Sequence, residues 1–312
     1  MTADLSSIAI NKMQKIGFIT SSEDSHLTTD DLRVKEPLRK LGFELFPVSW
    51  DEFPISQGAL QLPDNCAALV FRSCWNYHVK YLEFLSWLQI LSAARIPVFN
   101  SIEISRWNLH KKYLLELEQK NIPVPRTFCL RGEDANFRDF FSQFLAKLPG
   151  AELVLKPAIS MNGEDTFLLP KTDEKSLVES IQILQSKRGD VLVQEFLPEI
   201  QSVGELSFIF IDGQFSHALR KQAKAGEFRI HVEHGGRREA FQPSPFQIAQ
   251  AEAIYKSIQE DLLFARVDVV ERGDQLILLE LEVIDPMLYF GIAPGAETRF
   301  AEAIAARIRE NT

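Results

Sequence analysis

The stretch that most constrains this chain lies near its C-terminal end, where ARVDVVERGDQLILLELEVIDP sets three acids into two nearly continuous apolar runs. Val267, Val269, Leu278, Leu279, Leu281 and Val283 predict two buried strands. A turn at Arg272–Asp274 joins them, with Gly273 supplying the positive φ that such turns favour. By the two-residue period of a strand, Glu280 and Glu282 share one face, and Asp268 can face them from the neighbouring strand. Three carboxylates on one buried face repel one another unless a cation lies between them. The alternative is a solvated acidic face, and the apolar flanks argue against it. Magnesium takes hard oxygen ligands and completes its shell with substrate phosphates, so Asp268, Glu280 and Glu282 are the candidate metal ligands. Manganese can use the same donor set.

Two further features bear on phosphates and on a base. Lys111 sits in NLHKKYL and Lys156 ends the apolar run LVLKP, where a buried ammonium must find a counter-charge. The loop AISMNGEDT follows Lys156 and carries Ser160 and Gly163; it can fold over phosphates and offer backbone N–H groups, although an ordinary hairpin has the same composition. In VLVQEFLPEI, an apolar strand ends in Gln194 and Glu195 and continues with Phe196 and Leu197. Such a linker can form an adenine slot, with Glu199 or Glu205 holding ribose hydroxyls; an edge strand with solvated carboxylates is the competing reading.

The N-terminal hundred residues alternate strands and helices. KIGFIT, Phe43–Val48, Ala67–Phe71 and PVFN are the predicted strands, with helical patterns over Leu32–Leu41 and Leu82–Leu91. That alternation indicates an α/β parallel sheet with helices on its faces. Arg72, Trp75 and Tyr77 follow the third strand, where ligands of open α/β sheets sit. Arg72 can clamp a carboxylate bidentately between walls of Trp75 and Tyr77, or it can be a structural ion pair beside core aromatics. At Asn108 the texture changes to a helix and a Pro-punctuated loop. From Ala151 onward strand-like runs dominate, among them EFRIHV, followed by a helix from about Pro245 to Gln259 and a C-terminal amphipathic helix over Glu297–Glu310.

A chain of 312 residues suggests two or three lobes of one compact unit. A net charge of −9 argues against nucleic acid as a partner, which needs a basic face, but not against a nucleotide. Cys66, Cys74 and Cys129 are odd in number and irregularly spaced, as expected of reduced thiols in a cytoplasmic protein. No segment has the length of a membrane span, and the first dozen residues read as a loose leader. Histidines 78, 110, 217, 231 and 234 are scattered; His231 and His234 lie nearest the predicted site and are the candidates for a base.

Lysine, lysine with a flexible loop, linker carboxylate, KQAKAGEFR, then Asp with Glu-x-Glu: in this order the features resemble the ATP-grasp superfamily, from about Asn108 to the C-terminus. KQAKAGEFRIHVEHGG is similar to the matching stretch of the glutamate ligases that extend a ribosomal protein's tail and of bacterial glutathione synthetases. FRSCWNYH, EFLSWL, RWNLHKKYL, GELSFIFIDGQFSHALRK and ELEVIDPMLYF resemble a small bacterial family that includes a cyclo-ligase closing O-ureido-serine into a ring. The resemblance implies an ATP-grasp fold: an N-terminal parallel-sheet lobe over 1–107, a central α+β lobe with the phosphate loop over 108–190, and a C-terminal α+β lobe with the metal site over 191–312. It implies ATP and magnesium as cofactors, with Lys111 (preferred over Lys112 by the N-x-x-K-x-Y-L spacing) and Lys156 on the α- and β-phosphates. Glu195, Phe196 and Leu197 fall on the adenine linker, and Lys221 and Arg229 face the γ-phosphate and the acyl phosphate as catalytic residues.

Three departures from the superfamily pattern concern the substrate. Glu282 stands where Asn is usual, His231 replaces an Asn two residues past Arg229, and Ser207 replaces an Arg after the ribose carboxylate. His231 joins Arg72, Trp75 and Tyr77 as a candidate substrate contact. The implied reaction activates a carboxylate of a small amino-acid-like molecule as an acyl phosphate and joins it to a nitrogen nucleophile, within one molecule or between two. A homodimer is compatible with this reading. A non-catalytic ATP-binding module is the rival class, opposed by the intact metal carboxylates with Lys221 and Arg229. A Rossmann dehydrogenase is poorer still, because TSSEDS, not a glycine fingerprint, follows the first strand.

Overall fold

The structure is a computed structural model and describes residues 13–132, 145, 147, 148, 150–224 and 235–311. Arg229, His231 and His234, together with the whole EFRIHV segment, lie outside the described residues. Three main sheets carry the fold. The first contains β1 (Gln14–Thr20), β2 (Phe43–Ser49), β5 (Cys66–Ser73) and β6 (Val98–Phe99), all parallel in the order β2-β1-β5-β6. A two-residue hairpin of β3 (Ile55–Ser56) and β4 (Ala59–Leu60) interrupts the alternation. Both faces of this sheet are covered, so β1 and β5 are apolar almost throughout and bury nearly every residue. At Gly17 a Cβ would press on the side-chain ends of Leu69 and Val48, which would have to shift to admit it.

The second sheet is antiparallel: β7 (Thr127–Leu130), β8 (Glu152–Pro157), β9 (Phe167–Pro170) and β10 (Val191–Glu195), in the order β7-β10-β8-β9. The helix Glu174–Arg188 packs Leu177, Ile181 and Leu184 onto it. Asp173 caps that helix by accepting from the Ser176 N–H. The third sheet, also antiparallel, contains β11 (Glu205–Ile211), β12 (Gln214–Gln222), β13 (Arg237–Phe241), β14 (Phe264–Arg272) and β15 (Gln275–Glu282), in the order β13-β12-β11-β14-β15. Its inner face meets the helices Tyr113–Gln119 and Pro245–Lys256, the latter started by a capping box of Ser244 and Gln247.

Sheet membership redraws two lobe boundaries expected from the sequence. β10 is hydrogen-bonded between β7 and β8, so the second unit runs through Glu195 and not to residue 190. The C-terminal helix Ala296–Glu310 belongs to the core of the first sheet, where Phe300 meets Phe18 edge-on at 6.4 Å. The predicted helix over Leu32–Leu41 is two short helices, Thr29–Leu32 and Lys35–Lys40, closed by Gly42 at φ +93°. Among the described residues no helix is long and apolar enough to cross a membrane.

Candidate active site

A cavity of about 300 Å³ lies between the three sheets, and most of the residues singled out from the sequence line it. One end is an apolar slot. Val154 on β8, Phe196 and Leu197 after β10, Ile200, and Leu279 on β15 form its walls. Gln194 and Glu195 border it with their side chains already engaged: the Gln194 amide donates to Thr127 Oγ1 at 2.7 Å, and Glu195 accepts from the Arg126 N–H at 3.1 Å. The slot is thus apolar where a flat base would stack and edged by backbone, as adenine recognition requires.

The middle carries the lysines. Lys111 Nζ donates to Ser160 O at 2.9 Å and to Glu280 Oε1 at 2.7 Å, which ties the phosphate loop to β15. Lys111 lines the cavity and Lys112 does not. Lys156 also lines it, with Ser160, Asn162 and Gly163 of the loop. Burial pulls the Lys156 ammonium down to about 8, in spite of Glu280 and Glu205 nearby.

The floor is the β14–β15 pair. Asp268 stands opposite Glu280 and Arg266 opposite Glu282, so the two-residue period does bring the three acids to one face. What the sequence reading missed is Arg266, on the same face two residues before Asp268. Its guanidinium donates to both Asp268 oxygens at 3.0 and 3.1 Å, to Met287 O at 3.2 Å, and closely to Glu282. Lys221 on β12 pairs with Glu205 at 2.8 Å and reaches Asp268 at 3.4 Å, and Ser207 donates to the same Asp268 oxygen. Repulsion among the three carboxylates is therefore relieved by Arg266, Lys111 and Lys221, and does not by itself demand a metal. Among the described residues no three acidic, His or Cys side chains converge on one metal position.

The compensation is uneven. Burial alone would raise Asp268 and Glu280, but Arg266 and Lys221 hold the first, and Lys111 and Lys156 the second, below the ordinary carboxylate range. Burial pushes Glu282 up to about 8 despite Arg266, and Asp285 up to about 7 despite Arg266 and Lys111. Asp285 Oδ2 is buried without a hydrogen-bond partner. Hard oxygen donors beside two cavity lysines fit a magnesium–nucleotide complex in their chemistry.

Two expected site residues lie elsewhere. Arg72 is fully buried behind β5. Its Nε donates to Asp31 at 2.7 Å and its Nη2 to Pro286 O at 3.1 Å, and its guanidinium packs over Phe264 and Phe300. The carboxylate-clamp expectation is corrected: Arg72 is a structural ion pair. Strand β5 is sandwiched on both faces, so a side chain on it meets packed neighbours and not solvent. Glu199 pairs with Arg272 at 2.8 Å and does not line the cavity, which leaves Glu205 as the ribose candidate. Trp75 and Tyr77 do line the cavity, with Tyr77 stacked on Phe84 at 5.3 Å. Met287, Tyr289 and Arg238 complete that end.

Comparison with known proteins agrees with this geometry. Residues 132–293 match the family model "Prokaryotic glutathione synthetase, ATP-grasp domain", and residues 16–100 match the N-terminal domain of D-cycloserine synthetase DcsG. The cycloserine biosynthesis protein DcsG of Streptomyces lavendulae is 25% identical over 305 residues, covering 94% of this chain and 99% of that protein. A probable alpha-L-glutamate ligase of Thioalkalivibrio sulfidiphilus is 30% identical over 213 residues, 68% of this chain and 65% of the ligase. The crystal structure of D-cycloserine synthetase DcsG superposes with a TM-score of 0.81 at 23% identity, covering 94% of this chain and 99% of that one. With more than half of its length matched by that ATP-grasp family model, this chain belongs to the ATP-grasp family and is an ATP-dependent carboxylate-amine ligase.

Proposed function

We propose that the chain activates the carboxylate of a small, amino-acid-like molecule as an acyl phosphate and passes the acyl group to a nitrogen nucleophile, with release of ADP and phosphate. The observation that carries this reading is one cavity holding an apolar base-sized slot, phosphate-side lysines and a carboxylate floor in sequence. In this reading Val154, Phe196, Leu197 and Leu279 sandwich adenine, and Glu205 holds the ribose. Lys111 and Lys156 face the α- and β-phosphates. Asp268, Glu280 and Glu282 would hold magnesium, or manganese in its place, which when bound neutralises charge on the phosphates.

Lys221 is the catalytic cation among the described residues. Despite its burial and the repulsion of Arg266, Asp268 and Glu205 hold it above the ordinary lysine range, so it stays charged beside the transferring phosphoryl group. Arg229 is proposed as its partner. The acyl phosphate must be kept from water while it waits for the nucleophile. Trp75 and Tyr77 wall the substrate end, and His231 is proposed to contact the substrate from the segment outside the described residues.

A second reading, intramolecular ring closure, is favoured by one observation: similarity to the cycloserine protein extends over the N-terminal sheet as well as the nucleotide half. The route is tested by oxygen-18 in the substrate carboxylate, which must appear in the released phosphate alongside ADP. AMP and pyrophosphate would mean an adenylate and would overturn the reading. Screening amino acids for stimulated ADP release, with O-ureido-serine among them, separates ring closure from joining of two molecules.

A further inference from the structure

One segment of the cavity wall makes contacts that the reaction does not account for. The loop between β8 and β9 lines the cavity with Ser160, Met161, Asn162, Gly163 and Thr166. It is tightly wound: Asn162, Gly163 and Asp165 have φ of +52°, +68° and +53°, and the Glu164 N–H donates to Met161 O at 3.0 Å. Asn, Gly and Asp tolerate the left-handed region but do not enforce it, so the loop depends on other elements to fasten its shape.

Three polar holds do so. At the near end Lys111 Nζ donates to Ser160 O at 2.9 Å. At the far end Lys187 and Arg188, from the helix Glu174–Arg188, grip Asp165 at 2.6 and 2.9 Å. Between them Glu164 Oε2 lies 3.0 Å from His78 Nε2 and 3.4 Å from Arg188. A carboxylate only accepts, so the ring nitrogen donates. The first two holds come from the nucleotide half, whereas His78 belongs to the segment after β5 that carries Trp75 and Tyr77. His78 is a firm anchor. Its side chain is 9% exposed, and the Tyr77 ring stands edge-on to it at 6.3 Å. The turn around it is set by Asn76, whose C=O accepts from the N–H groups of Val79 and Lys80 and whose amide donates to Asp51 at 3.1 Å. Ile159 and Met161 add apolar contact with the core of the first sheet.

We propose that His78 is a positioning residue: through Glu164 it fastens the phosphate loop to the segment that walls the substrate end, and so sets the loop over the nucleotide phosphates. This rests on the nucleotide reading of the cavity for what the loop covers, and adds the group that holds it there. Arg188 is a poor substitute, because its closer contact is with Asp165. Exposed ion pairs contribute little because two free side chains must be ordered, and Glu164 is 54% exposed. Its partner, however, is an imidazole already fixed by packing, so only one side chain loses freedom. Without this hold the loop's grip on phosphates weakens, while the apolar slot at the other end of the cavity is untouched.

The test uses the full chain and two readouts. Amide hydrogen exchange of residues 159–166 should quicken in His78→Ala and in Glu164→Ala. Calorimetry with magnesium and a non-hydrolysable ATP analogue is set against calorimetry with adenosine. Both variants should bind the analogue about three- to tenfold more weakly, the range for a charge-assisted contact screened on one side, with adenosine affinity unchanged. The double variant should be no worse than either single one. His78→Gln, which keeps an N–H donor near the position of Nε2, should recover part of the loss. Glu164 lies on an exposed part of the loop, so its variant decides the matter where His78→Ala folds poorly. The proposal is overturned if Glu164→Ala leaves analogue affinity unchanged, if the two losses add in the double variant, or if adenosine affinity falls in step. Faster exchange without weaker analogue binding overturns it as well, since the tether would then be structural only. A wild-type chain that binds the analogue no better than adenosine would instead sink the phosphate reading of the loop, and the positioning role with it.

Discussion

Two buried clusters of charge lie back to back in this molecule, and they are built differently. Behind β5, Asp30, Asp31 and Arg72 form a joint held by partners within the fold, with Arg72 Nη1 alone left without one. Asp31 is paired with Arg72 and accepts from Ser73, Asp30 takes two backbone N–H groups, and Arg72 returns a bond to Pro286 O. On the other side of residues 286–290 the cavity floor is open. Its acids share Arg266, Lys111 and Lys221, yet Glu282 stays pushed up to about 8 and Asp285 keeps an oxygen unpaired. Burial alone does not tell a structural charge from a working one; what differs is that the floor's acids line the cavity and the joint's charges do not.

The sharpest way to break the comparison is at the joint. Arg72→Ala leaves Asp31 buried without its counter-charge, an effect of about 3–5 kcal/mol. The melting temperature should fall steeply, with ATP and substrate affinities degrading together. A normal melting temperature with only substrate affinity lost would return Arg72 to the binding site. The floor should answer in the opposite manner. Asp268→Asn and Glu280→Gln remove charge at nearly constant volume, and turnover should drop roughly 100- to 1,000-fold, the range for losing one preorganised electrostatic contact. Circular dichroism and melting temperature should stay near wild type. Activity retained in both variants would refute the assignment of the floor.

The smallest expected effect probes a third hold on the same segment. His217 shares a hydrogen bond of 2.9 Å with Leu288 O, and burial pulls it down to about 4. A histidine whose folded value lies below the unfolded one, near 6.5, costs stability as pH falls from about 6.5 toward 4. Between pH 6.5 and 5 the chain should lose about 1 kcal/mol from this residue, after allowance for its partial solvent contact. His217→Gln should flatten that slope in pH-dependent denaturant titrations. An unchanged slope would mean that the segment is held without it.

Sequence periodicity carried much of this. The carboxylate face was readable because β14 and β15 are so apolar that three acids on them stand out. The linker was readable because Val191–Glu195 is wholly buried and ends abruptly in polar residues. Arg72 was misplaced for a physical reason: an arginine at the end of a strand looks the same whether it reaches a ligand or a buried aspartate 41 residues away in the chain. Arg266 was missed although the same two-residue period that groups Glu280 with Glu282 groups Arg266 with Asp268. The helix Glu174–Arg188 also escaped, since its apolar face is narrow and charged residues fill the rest. Asp285 had no signal of its own, because an unpaired oxygen is a property of its surroundings.

The C-terminal helix gives the chain a particular order of completion. Ala296–Glu310 carries Phe300, Ala301, Ile304 and Ile308 into the core of the first sheet, against helix Lys35–Lys40 and Phe18. During synthesis, strands β1, β2 and β5 emerge well before this part of their apolar cover is made. A ribosome must therefore finish the nucleotide half before the first hundred residues can be sealed. The N-terminal sheet is translated before the helix that seals it, and in that interval it depends on being shielded from other chains.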